Sequence, residues 1–229
     1  TADVAHELRT PLQIIQGNLE GLVDGVYQPT PDHLEATLGE TRLLARLVED
    51  LRVLSQAEAG QLLMHWEAVD VAELLLDAAT SFSGQAQAAG VQLRVLLRGQ
   101  TIPLENGTPA HGTAAPAAVP ITVTADYGRL EQVLGNLLAN ALRHTPTGGA
   151  VTLAADVSGP ESETVRLTVS DTGEGIAAAD LPFVFDRFWR GDRARTHTGG
   201  AGSGLGLAIA RQLVQAHGGT ITAASTLGQ

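Results

Sequence analysis

The chain of 229 residues contains no cysteine, no lysine, a single methionine, and only four Phe, two Tyr and two Trp. Without cysteine there is no disulfide framework and no thiolate metal site. Without lysine there is no phosphate loop of the type that ends in Gly-Lys-Ser/Thr. No apolar run approaches the ~20 residues that a bilayer crossing needs, and no signal-peptide pattern opens the chain. Fourteen basic residues stand against 25 acidic ones, a formal charge of −11. That balance argues against a nucleic-acid backbone as partner, while local arginine clusters remain available for smaller phosphates.

The length suits two modest domains. In the first, residues 1–62, the apolar positions Leu8, Leu12, Ile15, Leu19, Leu22 and Val26 recur at spacings of three and four, the stripe of an amphipathic helix over about residues 1–26. Pro11 falls inside it and predicts a kink just after His6. A turn over 25–31 leads to a second helix from Pro31, striped by Leu34, Leu38, Leu44, Leu47, Leu51 and Leu54. Two helices cannot hide two such stripes, so the simplest closure is a homodimeric four-helix bundle. The alternative is packing of the hairpin on the downstream domain.

The second domain, residues 63–229, alternates helices and strands: a helix over 71–89 stopped by Gly90, strands over 91–97 and 121–124, and a helix over 127–143. A hairpin over 151–157 and 165–170, a helix over 205–217 and a strand over 220–224 follow. Residues 99–120, rich in Gly, Pro, Ala and Thr, read as a mobile inserted loop. The expected class is α+β: a dimeric helical hairpin followed by a two-layer α/β sandwich, a mixed sheet with helices on one face.

Chemistry concentrates in four places. In Ala5-His6-Glu7-Leu8-Arg9-Thr10-Pro11-Leu12, a neutral imidazole is a competent nucleophile, and the adjacent Glu7 carboxylate can fix its tautomer and take its proton. Asn136 and Asn140, one turn apart in Asn136-Leu137-Leu138-Ala139-Asn140-Ala141-Leu142-Arg143-His144-Thr145, place amide oxygens on one helix face. These are hard neutral ligands suited to a Mg²⁺ carrying a polyphosphate, with Asn140 assigned to the metal and Arg143 supplying a fixed charge. In Asp171-Thr172-Gly173-Glu174-Gly175-Ile176 the carboxylate can accept a hydrogen bond from an exocyclic amine while Gly173 and Gly175 let the backbone turn closely around a base. Gly199-Gly200-Ala201-Gly202-Ser203-Gly204-Leu205-Gly206-Leu207 sets bare amides at a helix start, a phosphate grip.

In order and spacing these four motifs resemble the catalytic core of sensor histidine kinases, over nearly the whole chain. The resemblance implies a hairpin that is a dimerisation and histidine phosphotransfer domain, and an ATP-binding domain of the kind shared with gyrase-type, chaperone and mismatch-repair ATPases. It implies ATP and Mg²⁺ as cofactors, autophosphorylation of His6 and transfer to an aspartate of a response regulator. Asp171 then reads adenine's amino group, and His144 occupies a place where the family commonly has an aromatic residue near the nucleotide. Thr10 resembles the position that orients a water for dephosphorylating the partner, so His6, Glu7 and Thr10 are the candidate catalytic residues.

Nucleotide contacts are implied for Asn136, Asn140, Arg143, His144, Asp171, Gly173, Gly175, Gly202, Gly204, Leu205 and Gly206. A mobile lid is implied over 177–203, anchored by Phe183, Phe185, Phe188 and Trp189, from which Arg187, Arg190, Arg193 or Arg195 reaches the terminal phosphate. With Thr1 as first residue and Met64 as sole methionine, the chain is read as a fragment whose upstream sensory region is expected to be missing, and the resemblance implies one more strand of the sheet beyond Gly228 and Gln229. The resemblance implies the cytoplasmic portion of a sensor that is commonly membrane-bound. Two rivals are a dimeric scaffold that binds nucleotide without using it and a stand-alone ATPase. Intact motifs weigh against the first and the histidine hairpin against the second.

Overall fold

A computed structural model describes residues 2–105, 108–109, 120–157, 164–189 and 203–228. The first two elements are helices α1 (Ala2–Val23) and α2 (Pro31–Glu58). α1 continues through Pro11 as one helix. α2 starts where Pro31 presets the first helical φ and Thr30 Oγ1 accepts the main-chain N–H of His33 at 3.4 Å. Between the two helices, Asn18 Nδ2 donates to Thr37 Oγ1 at 3.1 Å. At the turn the Tyr27 ring lies where a Cβ on Gly21 would sit, and the Tyr27 and His33 ring centres are 5.0 Å apart.

Beyond a linker over 59–66, the α/β domain runs β1 (Glu67–Asp70), α3 (Val71–Ala89), β2 (Gln92–Leu97), β3 (Gln100–Ile102), β4 (Leu104–Glu105) and β5 (Thr108–Pro109). It goes on with β6 (Thr122–Ala125), α4 (Tyr127–His144), β7 (Ala150–Val157), β8 (Val165–Asp171) and α5 (Gly206–Ala216). The main sheet has the order β3-β2-β7-β8. β2 and β7 are parallel, while β3 and β8 pair antiparallel on the two outer sides, so the sheet is mixed. β1 and β6 form a separate antiparallel pair.

α3 and α4 likewise have local reasons to start. Asp70 Oδ1 accepts the Ala72 N–H at 2.8 Å to cap α3, and Gly90 ends it in the left-handed region at φ 67°. Asp126 caps α4 through the Arg129 N–H at 3.0 Å. The apolar faces of α3 (Leu74, Leu75, Ala79) and α4 (Leu134, Leu138) close over Val95, Val151, Leu153 and Ala155 of the sheet. Complete burial of each large aliphatic side chain there contributes roughly 1.5–3 kcal/mol.

A second core joins the two halves of the chain. Leu47, Val53 and Leu54 of α2 are buried with Val133 of α4 and with Leu205, Ile209 and Leu213 at and along α5. The hairpin therefore does pack on its downstream domain, at the C-terminal part of α2. Further up, Leu12, Leu19, Leu34 and Leu38 remain exposed, so this packing hides only part of the stripes.

Two expectations are corrected. The interval 99–120 is not simply loop, since β3 extends the sheet by pairing Val95 with Ile102, and β4 and β5 form a short ladder. Val95 and Ile102 are buried, so an apolar edge position outweighed the local Gly and Pro content. Residues 110–119 of that interval lie outside the described residues. Residues 220–224 form no strand, because alternation supplies propensity but a ladder needs a neighbouring edge in register. The segment is instead tied farther along, where Ile176 N–H donates to Ser225 Oγ at 2.8 Å and Gly228 N–H to the Glu174 carbonyl at 2.9 Å.

Candidate functional site

α4 is the spine of the site. Asn136, Asn140, Arg143 and His144 lie along its second half, and from Asn136 to His144 the helix rises ~12 Å. That span separates two clusters, one at each end.

At the C-terminal end, β8 delivers Asp171 beside the end of α4. Asp171 Oδ1 accepts the Gly173 N–H at 2.9 Å, and Oδ2 has no hydrogen bond among the described residues. Gly173 is wedged: a Cβ there would come 2.5 Å from the His144 carbonyl oxygen and 2.6 Å from Asp171 Oδ1. Gly175 holds φ 74° against the Thr226 carbonyl, so the turn after Asp171 needs glycine at both positions. His144 Nδ1 lies 3.3 Å from Glu174 Oε1.

Glu174, Thr172 and Thr145 are site residues that the sequence pattern did not single out. Thr172 Oγ1 accepts the Ala150 N–H at 2.9 Å, tying the turn after β8 to the start of β7, and buried Thr145 donates to the Ala141 carbonyl at 2.7 Å, closing the end of α4. Glu174 sits inside the quoted Asp171 motif, yet its partner is 30 positions away, beyond any local spacing rule.

At the other end, the start of α5 abuts Asn136: a Cβ on Gly206 would stand 3.4 Å from Asn136 Oδ1. Asn136 Nδ2 is buried with no hydrogen-bond partner among the described residues. Half-buried Asn140 likewise makes no side-chain hydrogen bond among the described residues. Leu205 is fully buried at the N-cap of α5 and supplies no side-chain cap, so the first-turn N–H groups of that helix lack a side-chain acceptor at its cap. A buried amide without a partner, neutral amide oxygens and an uncapped helix start form a donor and ligand set that fits a metal-bound polyphosphate.

The stretch before the last glycine cluster starts with a short 3₁₀ turn, Leu181–Phe183. Of the four expected apolar anchors, Phe185, Phe188 and Trp189 are half-buried and Phe183 is exposed. Phe188, at φ 59°, donates its N–H to the Gly204 carbonyl at 2.9 Å, and a Cβ on Gly204 would meet the Phe188 backbone at 2.8 Å. One close backbone crossing thus pins both ends of residues 189–203. Arg190, Arg193, Arg195, Gly199, Gly200 and Gly202 lie outside the described residues. Arg187 is paired with Glu58 at the end of α2 rather than extended toward Asn136.

His6 is exposed on α1, Glu7 is half-buried, and Thr10 Oγ1 donates to the His6 carbonyl at 3.3 Å. Leu8, two residues after His6, packs against the core made by α2, Leu205 and α5. The histidine turn therefore lies at the edge of the core that α2 forms with α4 and α5.

Comparison with known proteins matches this two-part geometry. Residues 1–60 match the His Kinase A (phospho-acceptor) domain, and residues 125–229 match the histidine kinase-, DNA gyrase B- and HSP90-like ATPase family. The signal transduction histidine-protein kinase BaeS of Escherichia coli is 37% identical over 97% of this chain and 43% of its own length. The chain thus spans less than half of that relative. The histidine kinase AdeS of Acinetobacter baumannii superposes with a TM-score of 0.74 at 30% identity, over 97% of this chain and 92% of that one. Full-length ShkA in complex with AMPPNP superposes with a TM-score of 0.65 at 28% identity, over 100% of this chain and 43% of that one. With both domains in the same order and likeness along the whole length, the chain belongs to the sensor histidine kinase family, as the core that joins a phosphoacceptor hairpin to an ATPase-type domain.

Proposed function

We propose that the chain is an ATP-dependent protein histidine kinase that phosphorylates His6 and passes the phosphoryl group to an aspartate of a response-regulator partner, acting as a homodimer. The observation that carries this reading is the joining of the two halves: Leu8, two positions after His6, packs against the buried core that includes Leu205, beside the glycines that precede α5.

Asp171 Oδ2 would accept the adenine amino group, His144 would flank the base, and the amides before and at the start of α5, with Gly202, Gly204 and Gly206, would hold the phosphates. Asn140, with Asn136 beside it, would hold Mg²⁺, which when bound neutralises developing charge on the phosphates. Arg143 adds a fixed positive charge. A ring nitrogen of neutral His6 attacks the γ-phosphorus as the bridging bond to the β-phosphate breaks, ADP leaves, and Glu7 takes the ring proton. Thr10, one turn on from His6, would orient a water in the separate task of dephosphorylating the partner. The site of action is cytoplasmic.

The test is incubation with γ-labelled ATP and Mg²⁺, comparing the chain with His6→Gln. Acid-labile, alkali-stable label that vanishes in the variant is the expected result. Label that persists in His6→Gln, or ATP binding with no label in the parent chain, would overturn the reading.

A further inference from the structure

His217, at the C-terminal end of α5, joins three elements that are distant in sequence. Its Nε2 accepts the main-chain N–H of Asp126 at 3.1 Å, and its Nδ1 lies 2.8 Å from the Leu213 carbonyl oxygen. A carbonyl can only accept and an N–H can only donate, so both bonds together require the neutral ring with its proton on Nδ1. The edge of that ring meets Trp66, with centroids 5.5 Å apart and planes at 76°. Asp126, the N-cap of α4, closes the circle, because its Oδ2 accepts the His65 N–H at 2.8 Å while its Oδ1 accepts the Arg129 N–H. Asp126 is 6% exposed.

The three elements are the interdomain linker, the start of α4 and the end of α5. α4 and α5 carry the asparagines and the phosphate-gripping helix start. The linker is the covalent route from the hairpin that carries His6. Before His65 the chain is irregular: Gly60 holds φ 64°, residues 61–66 belong to no helix or strand, and Leu63 is 80% exposed, while Leu62 packs against the second core. The circle of bonds therefore marks where the linker joins the nucleotide-bearing body.

We infer that His217 is a positioning residue: with Trp66 and Asp126 it fastens the end of the interdomain linker to both nucleotide-bearing helices, and so sets the tether that delivers the γ-phosphoryl group to His6. The inference rests on the kinase reading for its last step, but the fastening itself is judged without phosphoryl transfer. Loss of the ring removes its contact with Trp66 and its bond to the Asp126 N–H, leaving the linker end held by the His65 N–H on Asp126 Oδ2 alone. The nucleotide groups on α4 and at the start of α5 stay in place, because the α4 and α5 core does not include the His217 ring. Positional slack at the reacting atoms then lowers the rate of transfer without lowering affinity.

The experiment uses the whole chain with Trp189→Phe as background, leaving Trp66 as the sole tryptophan, and compares His217→Ala, Trp66→Ala and the double variant. Three readouts are taken: Trp66 emission, ATP affinity by calorimetry, and the single-turnover rate of His6 labelling. The expected result for His217→Ala is a red shift of Trp66 emission, ATP affinity within about twofold, and labelling slowed about tenfold. Trp66→Ala should slow labelling comparably, with the double variant no slower than the worse single one. Emission that does not change would overturn the fastening, whatever the labelling shows. Affinity that falls in step with rate would reduce His217 to a residue that only holds the domain together, and a rate that does not fall would remove its positioning role. Absence of label in the parent chain would sink the kinase reading and with it the delivery step, while emission would still decide whether the fastening exists.

Discussion

Arg187 and Glu58 form an ion pair that ties the stretch before the final glycine cluster to the last turn of α2. Both side chains are nearly half exposed, so the pair contributes about 0–1 kcal/mol and its weight lies in position rather than stability. With its guanidinium engaged by Glu58, Arg187 is predicted not to grip the terminal phosphate. Arg187→Ala should leave ATP affinity within about twofold, whereas loss of a phosphate contact costs tenfold or more. An ATP titration decides between the two.

Gly173 faces a sharper constraint. Its neighbours in the way of a Cβ are the His144 carbonyl and Asp171 Oδ1, one backbone and one the carboxylate assigned to the base. Gly173→Ala should displace Asp171, abolish measurable ATP binding and lower stability by about 1–3 kcal/mol. Gly84→Ala, in a helix with open space around it, should stabilise or leave unchanged and serves as the control. Equal thermal shifts for the two substitutions would contradict the geometry.

Two aspartates give stability opposite slopes with pH. Burial pushes Asp126 upward, but the N–H groups of His65 and Arg129 and the Arg129 charge outweigh it and hold the carboxyl below its ordinary value. Its contribution is therefore present above the unfolded value of about 3.9 and is lost as pH falls through the depressed folded value. Asp50 is the reverse: burial raises it to about 6, against the pull of Arg46 and with the help of Glu49. Between roughly pH 4 and 6 the folded chain then holds the extra proton, so stability falls as pH rises through that window. Asp50→Asn should stabilise by about 1 kcal/mol at neutral pH, solvent screening reducing the full effect, and by little at about pH 4. Urea unfolding at both pH values checks this, and an equal gain at both would refute it.

Leu19 and Leu38 are 49% and 46% exposed on α1 and α2, in the part of the hairpin that the α/β domain does not cover. In a lone protomer a charge at either position would cost little. Leu19→Glu with Leu38→Glu should leave ATP affinity unchanged and convert the dimer to monomer in sedimentation, with loss of at least about 3 kcal/mol of association free energy. A parent chain that sediments as a monomer, or a double variant that stays dimeric, would refute the bundle.

The reach of the sequence can be read from particular residues. Periodicity placed α3, α4 and the hairpin of β7 and β8 within a residue or two, because Gly90, Asp70 and Asp126 are local stop and start signals and the apolar stripes are long. The motif glycines and asparagines were equally visible, since their role depends on spacing within one turn or loop. Alternation at 220–224 misled for the opposite reason: strand propensity is local and strand pairing is not. Tertiary structure alone decided that Arg187 meets Glu58, that Glu174 meets His144, and that His217 caps a circle through Asp126 and Trp66. Each joins residues 30 or more positions apart in the chain. The sequence by itself determined which side chains and turns the chain has to work with, because propensity, capping and spacing act over a few residues. Which of them meet was settled by the packing of α2 on α5 and of α4 on the sheet, where burial of apolar faces brings distant polar groups within bonding distance.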